Sequence, residues 1–261
     1  MLAATILVAL LVSTSTSLHV SFEPPTVVHK SYNLQHAWFS SLAPLPSSST
    51  NNDNPANDNL LLSFSLGGDG TPCPPPGKPK SFQNCSMTQL SHDGGITWRP
   101  LPDWSKHSFN EIVPLKNSFL SLGYGTKKVK QTKNMTAVQY GWEGHIDATT
   151  GDLVVDHGFN VTYTTTIHKF PDVLVRSGSV VQTSSGSYIT TLYGHGDGIY
   201  RHWTQHPIVF VVESKNLKDW NVISEIPWHP SYGNFSDGPG EPSTTRLTDD
   251  RLLMIIRING E

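Results

Sequence analysis

The stretch Ser91-His92-Asp93-Gly94-Gly95-Ile96-Thr97-Trp98 decides how the rest of this chain is read. Asp93 can accept backbone N–H bonds as an Asx-turn, and Gly94 and Gly95 can take positive φ. Thr97 and Trp98 then resume an extended strand, with the indole packing the turn down onto it. The stretch predicts a tight turn joining two antiparallel strands. It supplies architecture and no chemistry.

Outward from this turn, helical periodicity is almost absent. What recurs is a short strand, a polar turn and a second apolar strand. With turns placed at Asp58, Asn117, Gly186 and Asp250, the strands that follow are Leu60 to Leu66, Phe119 to Tyr124, Tyr188 to Tyr193 and Leu252 to Arg257. Each turn position carries Gly, Asn or Asp, which tolerate the left-handed conformation that a three-residue hairpin loop requires. The period of about 60 to 70 residues suits one four-stranded antiparallel sheet per repeat, as in a propeller blade, and a β-sandwich also fits the pattern. The eight-residue turn falls late in the first repeat. A degenerate echo, Ser214-Lys215-Asn216-Leu217-Lys218-Asp219-Trp220, falls at a comparable place in the third, one residue shorter and without the Gly.

The 261 residues, 36% of them hydrophobic, are enough for one well-buried domain, and no composition shift marks a linker. A formal charge of −3 with 15% charged residues gives no basis for a nucleic-acid partner. The one basic run, Lys127, Lys128, Lys130 and Lys133, reads as a solvated loop. Gly194-His195-Gly196-Asp197-Gly198 matches no phosphate-loop spacing and reads as a rim loop, with His195 or Asp197 as substrate contacts the alternative.

Met1 to Ser17 has the form of a secretory signal, an apolar run from Ile6 to Val12 followed by small residues, although its start lacks Lys and Arg. The run is well short of the ~20 apolar residues that span a bilayer, so no membrane span is expected. Residues 18–261 then form the domain. Four sequons, at Asn84, Asn134, Asn160 and Asn234, agree with export and glycosylation. In an oxidising compartment Cys73 and Cys85 are expected to form a disulfide, worth roughly 3 kcal/mol through loop entropy. No Cys/His pair has ligand spacing, so neither a metal nor another cofactor is expected.

The second informative stretch runs from Gly240-Glu241-Pro242-Ser243 through Thr248-Asp249-Asp250 to Leu252-Leu253-Met254-Ile255-Ile256-Arg257. A hairpin closed by a three-residue loop, Thr248 to Asp250, sets Leu247 opposite Arg251 and Glu241 opposite Arg257. A carboxylate and a guanidinium then share one face at the open end. A four-residue loop would put them on opposite faces, and both loops fit the sequence.

The pattern S-x-D-x-G-x-T-W at Ser91, Asp93, Gly95, Thr97 and Trp98 resembles the Asp-box. The E-P-S hairpin ending in L-L-M and Arg resembles the sialidase (neuraminidase) superfamily, in its secreted Asp-box or BNR-repeat branch. The resemblance extends over residues 36 to 261 as fold and over these two stretches as motif. It implies a six-bladed β-propeller, of which this chain covers about three and a half blades, with the box on a blade's outer edge. It implies an exo-α-sialidase-type glycoside hydrolase acting with retention on an extracellular glycan or glycoconjugate. By resemblance Glu241 polarises a Tyr nucleophile, and Arg257 is one of three Arg that grip the substrate carboxylate. The nucleophile and the third Arg would lie beyond residue 261. Tyr193, Tyr200 and Tyr232 precede the Glu241 hairpin, where the family places no nucleophile.

The first Arg of the family's triad is absent. The corresponding text, Ala37-Trp38-Phe39-Ser40-Ser41-Leu42, carries Trp38 in its place. Asp69, by position alone, is the candidate general acid, with a turn role in Gly67-Gly68-Asp69-Gly70 as the alternative. The missing Arg favours a second expectation, a non-catalytic glycan-binding or structural Asp-box protein. The Glu241 and Arg257 pair favours the enzyme.

Overall fold

Apolar and polar side chains alternate along segments such as Thr136–Ile146, where Ala137, Gln139 and Gly141 are buried and Val138 and Tyr140 face outward. That period of two commits the chain to strands. The computed structural model describes residues 37–45, 59–66, 86–101, 111–123, 125–127, 136–166, 170, 173–195, 207–227 and 239–258. Among these residues the protein is all-β, with fifteen strands and no helix.

Strands β1 (Ala37–Leu45), β2 (Asn59–Leu66), β3 (Ser86–Ser91) and β4 (Arg99–Pro100) form a four-stranded antiparallel meander in chain order. A second meander contains β5 (Glu111–Pro114), β6 (Phe119–Leu122), β8 (Thr136–Ile146) and β9 (Leu153–Thr164). The short β7 (Gly125–Lys127) leaves it to pair with the next meander's first strand. That third meander is β10 (Val173–Gln182), β11 (Tyr188–His195), β12 (Pro207–Ser214) and β13 (Asp219–Ile226). A hairpin follows, β14 (Pro239–Arg246) and β15 (Leu252–Ile258). The second and third meanders join into one nine-stranded sheet because their last strands meet in parallel, Trp220 opposite Tyr163. Thr162 N–H donating to Lys218 O at 2.7 Å reinforces the join.

Each meander buries a face against the next. Ala43, Leu45, Leu61 and Leu90 of the first pack with Ile112, Phe119 and Leu153 of the second. Leu120, Leu122, Val161 and Tyr163 of the second pack with Leu174, Leu192, Phe210 and Trp220 of the third. Strand β6 lies between the two cores, so all four of its residues, Phe119 to Leu122, are buried. A strand covered on both faces is buried along its whole length, whereas a strand with one face in water alternates. β14 in turn packs against β10, β11 and β12.

The four predicted strands after the turns are present as β2, β6, β11 and β15. The turn chemistry needs one correction. Gly186 (φ 84) and Asp250 (φ 66) are left-handed and close three-residue loops, Thr183 pairing with Ser187 and Leu247 with Arg251. Asn117 is not at positive φ, and the Leu115 N–H bond to Ser118 O at 2.8 Å leaves a two-residue loop there in place of a three-residue one. The turn at Asp58 lies outside the described residues.

Candidate functional site

The β14–β15 hairpin closes in the three-residue register, with Leu247 N–H donating to Arg251 O at 2.8 Å and Asp250 N–H to Leu247 O at 3.1 Å. Arg246 opposite Leu252 and Ser243 opposite Ile255 continue that register. A bulge then intervenes between Gly240 and Ser243, so the backbone of Arg257 faces Gly240 and not Glu241. Glu241 itself turns to φ 46, a conformation that costs a non-glycine residue of order 1–3 kcal/mol. The turned side chain still reaches its expected partner, and Glu241 Oε2 lies 2.8 Å from Arg257 Nη1. With the Arg257 side chain 53% exposed and that of Glu241 34% exposed, the pair is open to a ligand.

The bulge is held from below. Gly178, at φ 85 in an irregularity of β10 between Ser177 and Val181, lies directly under it. A Cβ on Gly178 would fall 2.6 Å from Pro242 O and 3.0 Å from Ser243 Cα, so only glycine lets the two strands approach this closely. Thr191 Oγ1 donates to Ser177 O at 2.5 Å on the other side of the same irregularity. The ring of Tyr193 lies alongside Gly240. At the hairpin's far end Arg246 Nη1 donates to Gln182 O at 3.0 Å, fixing β14 to β10 a second time.

Beneath β10 is a polar cluster that sequence reasoning missed. Arg176 is buried, with Nη2 donating to Gln139 Oε1 at 3.2 Å and Nε to Gly123 O at 3.4 Å. Its guanidinium lies over the rings of Tyr163 and Trp220, 5.5 and 5.8 Å from their centroids. Tyr163 Oη donates to the same Gln139 Oε1 at 2.8 Å. Glu111 Oε1 accepts the Val180 N–H at 3.0 Å. Burial pushes the Glu111 carboxyl up to about 7, opposed by the Arg176 charge, and burial pushes Arg176 down to about 10. The available signal was Arg176 itself, one charged residue following the apolar run Val173-Leu174-Val175.

The Ser91 to Trp98 turn is a closed hydrogen-bond unit between β3 and β4. Ser91 Oγ donates to Asp93 Oδ1 and accepts from Gly95 N–H, both at 2.8 Å. Asp93 accepts from Thr97 N–H at 2.9 Å and Thr97 Oγ1–H at 2.6 Å. These bonds, that from the Thr97 hydroxyl foremost, hold the Asp93 carboxyl down at about 2. Trp98 Nε1 donates to Gly95 O at 2.9 Å. The echo between β12 and β13 repeats the wiring: Leu217 N–H donates to Ser214 Oγ at 2.9 Å, Asp219 N–H to Asn216 Oδ1 at 2.8 Å and Trp220 Nε1 to Leu217 O at 3.0 Å. Both turns thus lie between the third and fourth strands of a meander.

Of the remaining candidates, Trp38 sits in β1 opposite Ser65 and Asn160 is exposed in β9 opposite Tyr140. Lys127 is in β7, and Tyr193 and His195 are in β11. Asp69, Cys73, Cys85, Asn84, Asn134, Asn234, Lys128, Lys130, Lys133, Asp197, Tyr200, Tyr232 and the segment 1–17 lie outside the described residues. Among the described residues no group of three or more His, Cys, Asp or Glu could hold a metal ion, and no helix is long and apolar enough to cross a membrane. Compared with protein-family models and with curated proteins, the chain finds no match.

Proposed function

We propose that this chain is a secreted, glycosylated, sialidase-like protein of the exo-α-sialidase type, with its site at the open end of the β14–β15 hairpin. The observation that carries this reading is the Glu241 to Arg257 contact of 2.8 Å, half-exposed and built on a backbone bulge. A planar guanidinium binds a sugar carboxylate through two parallel hydrogen bonds, which a Lys cannot do. An adjacent carboxylate is what a Tyr needs to lose its proton and attack an anionic sugar, the exception to the two-carboxylate scheme among retaining glycosidases. Arg257 is therefore assigned to the substrate carboxylate and Glu241 to the nucleophile's proton, with Asp69 as general acid by position.

The same reading takes the three meanders and the following hairpin as three and a half blades of a six-bladed propeller. Three meanders of one topology and the Asp-box wiring at equivalent turns support it. The ligand is then an extracellular glycan or glycoconjugate. The second reading, a glycan-binding protein without turnover, is favoured by Trp38 standing where the first Arg of the triad would be.

Assaying the full-length secreted protein on a panel of fluorogenic glycosides tests both. Release from a sialoside that Glu241→Gln abolishes supports the enzyme. Binding of a sialoside without release supports the second reading, and neither binding nor release of any acidic sugar overturns both.

A further inference from the structure

A continuous line of contacts runs from the buried cluster to the Glu241 and Arg257 pair. Glu111 on β5 accepts the Val180 N–H at 3.0 Å, at the C-terminal side of the β10 irregularity. Two residues earlier, Gly178 presses on Pro242 O and Ser243 Cα of β14, with no room for a Cβ between them. Pro242 lies with Glu241 in the bulge between Gly240 and Ser243, where Glu241 takes its left-handed backbone and reaches Arg257. Every link up to Glu241 is a backbone contact or a hydrogen bond to backbone, so displacing one end moves the next.

We infer that Glu111 is a positioning residue for the Glu241 and Arg257 pair: its carboxyl fixes the β10 irregularity, which through Gly178 sets the β14 bulge and the direction of Glu241. The carboxyl touches no ligand and acts only through the backbone of residues 178–180. Its surroundings also make it responsive. Three strands pack against β5, namely β1, β6 and β10. The sequences of β1 (Ala37–Leu45) and β6 (Phe119–Leu122) hold no titratable side chain, so among the described residues of these three strands Arg176 of β10 is the one charge facing Glu111. Burial pushes the Glu111 carboxyl up to about 7 against the opposing pull of Arg176. Ionisation of Glu111 strengthens its hydrogen bond to Val180 and its attraction to Arg176, and protonation relaxes both.

The structural half of this inference stands on contacts alone, and only its effect on ligand affinity rests on the proposed function. The test uses the full chain and two readouts, hydrogen exchange of residues 239–246 and affinity for a methyl α-sialoside, between pH 5.5 and 8.5. In Glu111→Ala, exchange at 239–246, corrected for intrinsic rate, rises between about twofold and thirtyfold while the β1–β4 meander is unchanged. Gly178→Ala gives the same local rise from the middle of the line without touching Glu111. Glu111→Gln retains an acceptor for Val180 and keeps near-normal exchange, but loses the step near pH 7 that the unaltered protein shows.

Unchanged exchange at 239–246 in a folded Glu111→Ala protein overturns the inference, as does a uniform rise over every sheet. If Glu111→Ala does not fold, the Gln variant decides, and a pH step that persists in it is fatal. If the exchange results hold while even the unaltered protein binds no sialoside, the positioning role stands and the proposed sugar is wrong. If the unaltered protein binds and Glu111→Ala binds equally with faster exchange, the pair is positioned by Glu111 but is not the binding site.

Discussion

Leu217 occupies, in the turn between β12 and β13, the place that Gly95 holds between β3 and β4. Both carbonyls accept the indole N–H of the Trp three residues on, and both residues have positive φ, 64 for Leu217 and 93 for Gly95. The first turn uses the glycine that the geometry favours. The second keeps the geometry and fills it with a side chain that is buried beside Trp220 in the core. Burial of a leucine is worth about 1.5–3 kcal/mol, which offsets a left-handed residue's cost of about 1–2 kcal/mol.

Truncation at Leu217 should therefore show an unusual order. Leu217→Ala loses the core contacts and keeps the backbone strain, costing about 2–5 kcal/mol. Leu217→Gly loses slightly more volume but relieves the strain, so it should be at least as stable as the alanine variant. Urea unfolding of the two proteins measures the difference.

Asp93 gives a pH prediction in the acid range. Its carboxyl lies at about 2 in the folded chain, below the usual Asp value, so the charged form is favoured by folding. The stability it contributes is complete above the usual Asp range and lost as pH falls towards 2. Thr97→Val removes the largest cause and should raise the Asp93 titration, read by carboxyl carbon NMR. Asp93→Asn should flatten the acid limb of the unfolding curve.

Glu111 has the opposite sign. Its carboxyl is pushed up to about 7, so the folded chain holds a proton that the unfolded chain releases earlier. Global stability should fall as pH rises from the ordinary Glu range to about 7 and change no further through this group beyond it. Glu111→Gln should lose that slope in thermal unfolding measured at intervals from pH 4 to 8. An equal slope in the variant would assign it elsewhere.

Arg257→Lys separates a grip on a carboxylate from an ordinary rim ion pair. If a sugar carboxylate is bound, replacing the fork by a point charge should weaken affinity by roughly 2–5 kcal/mol. Arg99 offers the control, an exposed ion pair with Asp152 at 2.7 Å. Its loss in Arg99→Ala should change stability by less than about 1 kcal/mol and leave sialoside affinity alone. Calorimetric titration of both variants gives the comparison.

β15 exposes Leu252, Leu253, Ile255 and Ile258, and among the described residues pairs on one edge only, with β14. An apolar strand with an open edge is a template for association. The 261-residue chain should accordingly self-associate at high concentration, and Ile255→Lys should reduce this in light scattering without unfolding the hairpin.

What the sequence determined by itself was local. The bonds that close the turn from Ser91 to Trp98 lie within those eight residues, so the turn could be read without a distant residue, although His92 also reaches Asn59. The same holds for the three-residue loops at Gly186 and Asp250, where a left-handed position and its tolerant residue coincide. At Asn117 the residue type misled: it tolerates positive φ, but the loop that the β5–β6 pairing leaves has two residues and does not place Asn117 there. The facing of Glu241 and Arg257 was legible as one of two registers. Only the tertiary structure chose between them, and only it revealed the bulge, because that bulge exists where Gly178 of β10 meets Pro242 of β14. The cluster of Glu111, Gln139, Tyr163 and Arg176 was hidden for the same reason. Its members come from β5, β8, β9 and β10, which converge only when the second meander buries its face against the third, and burial of that kind has no signature in any one strand.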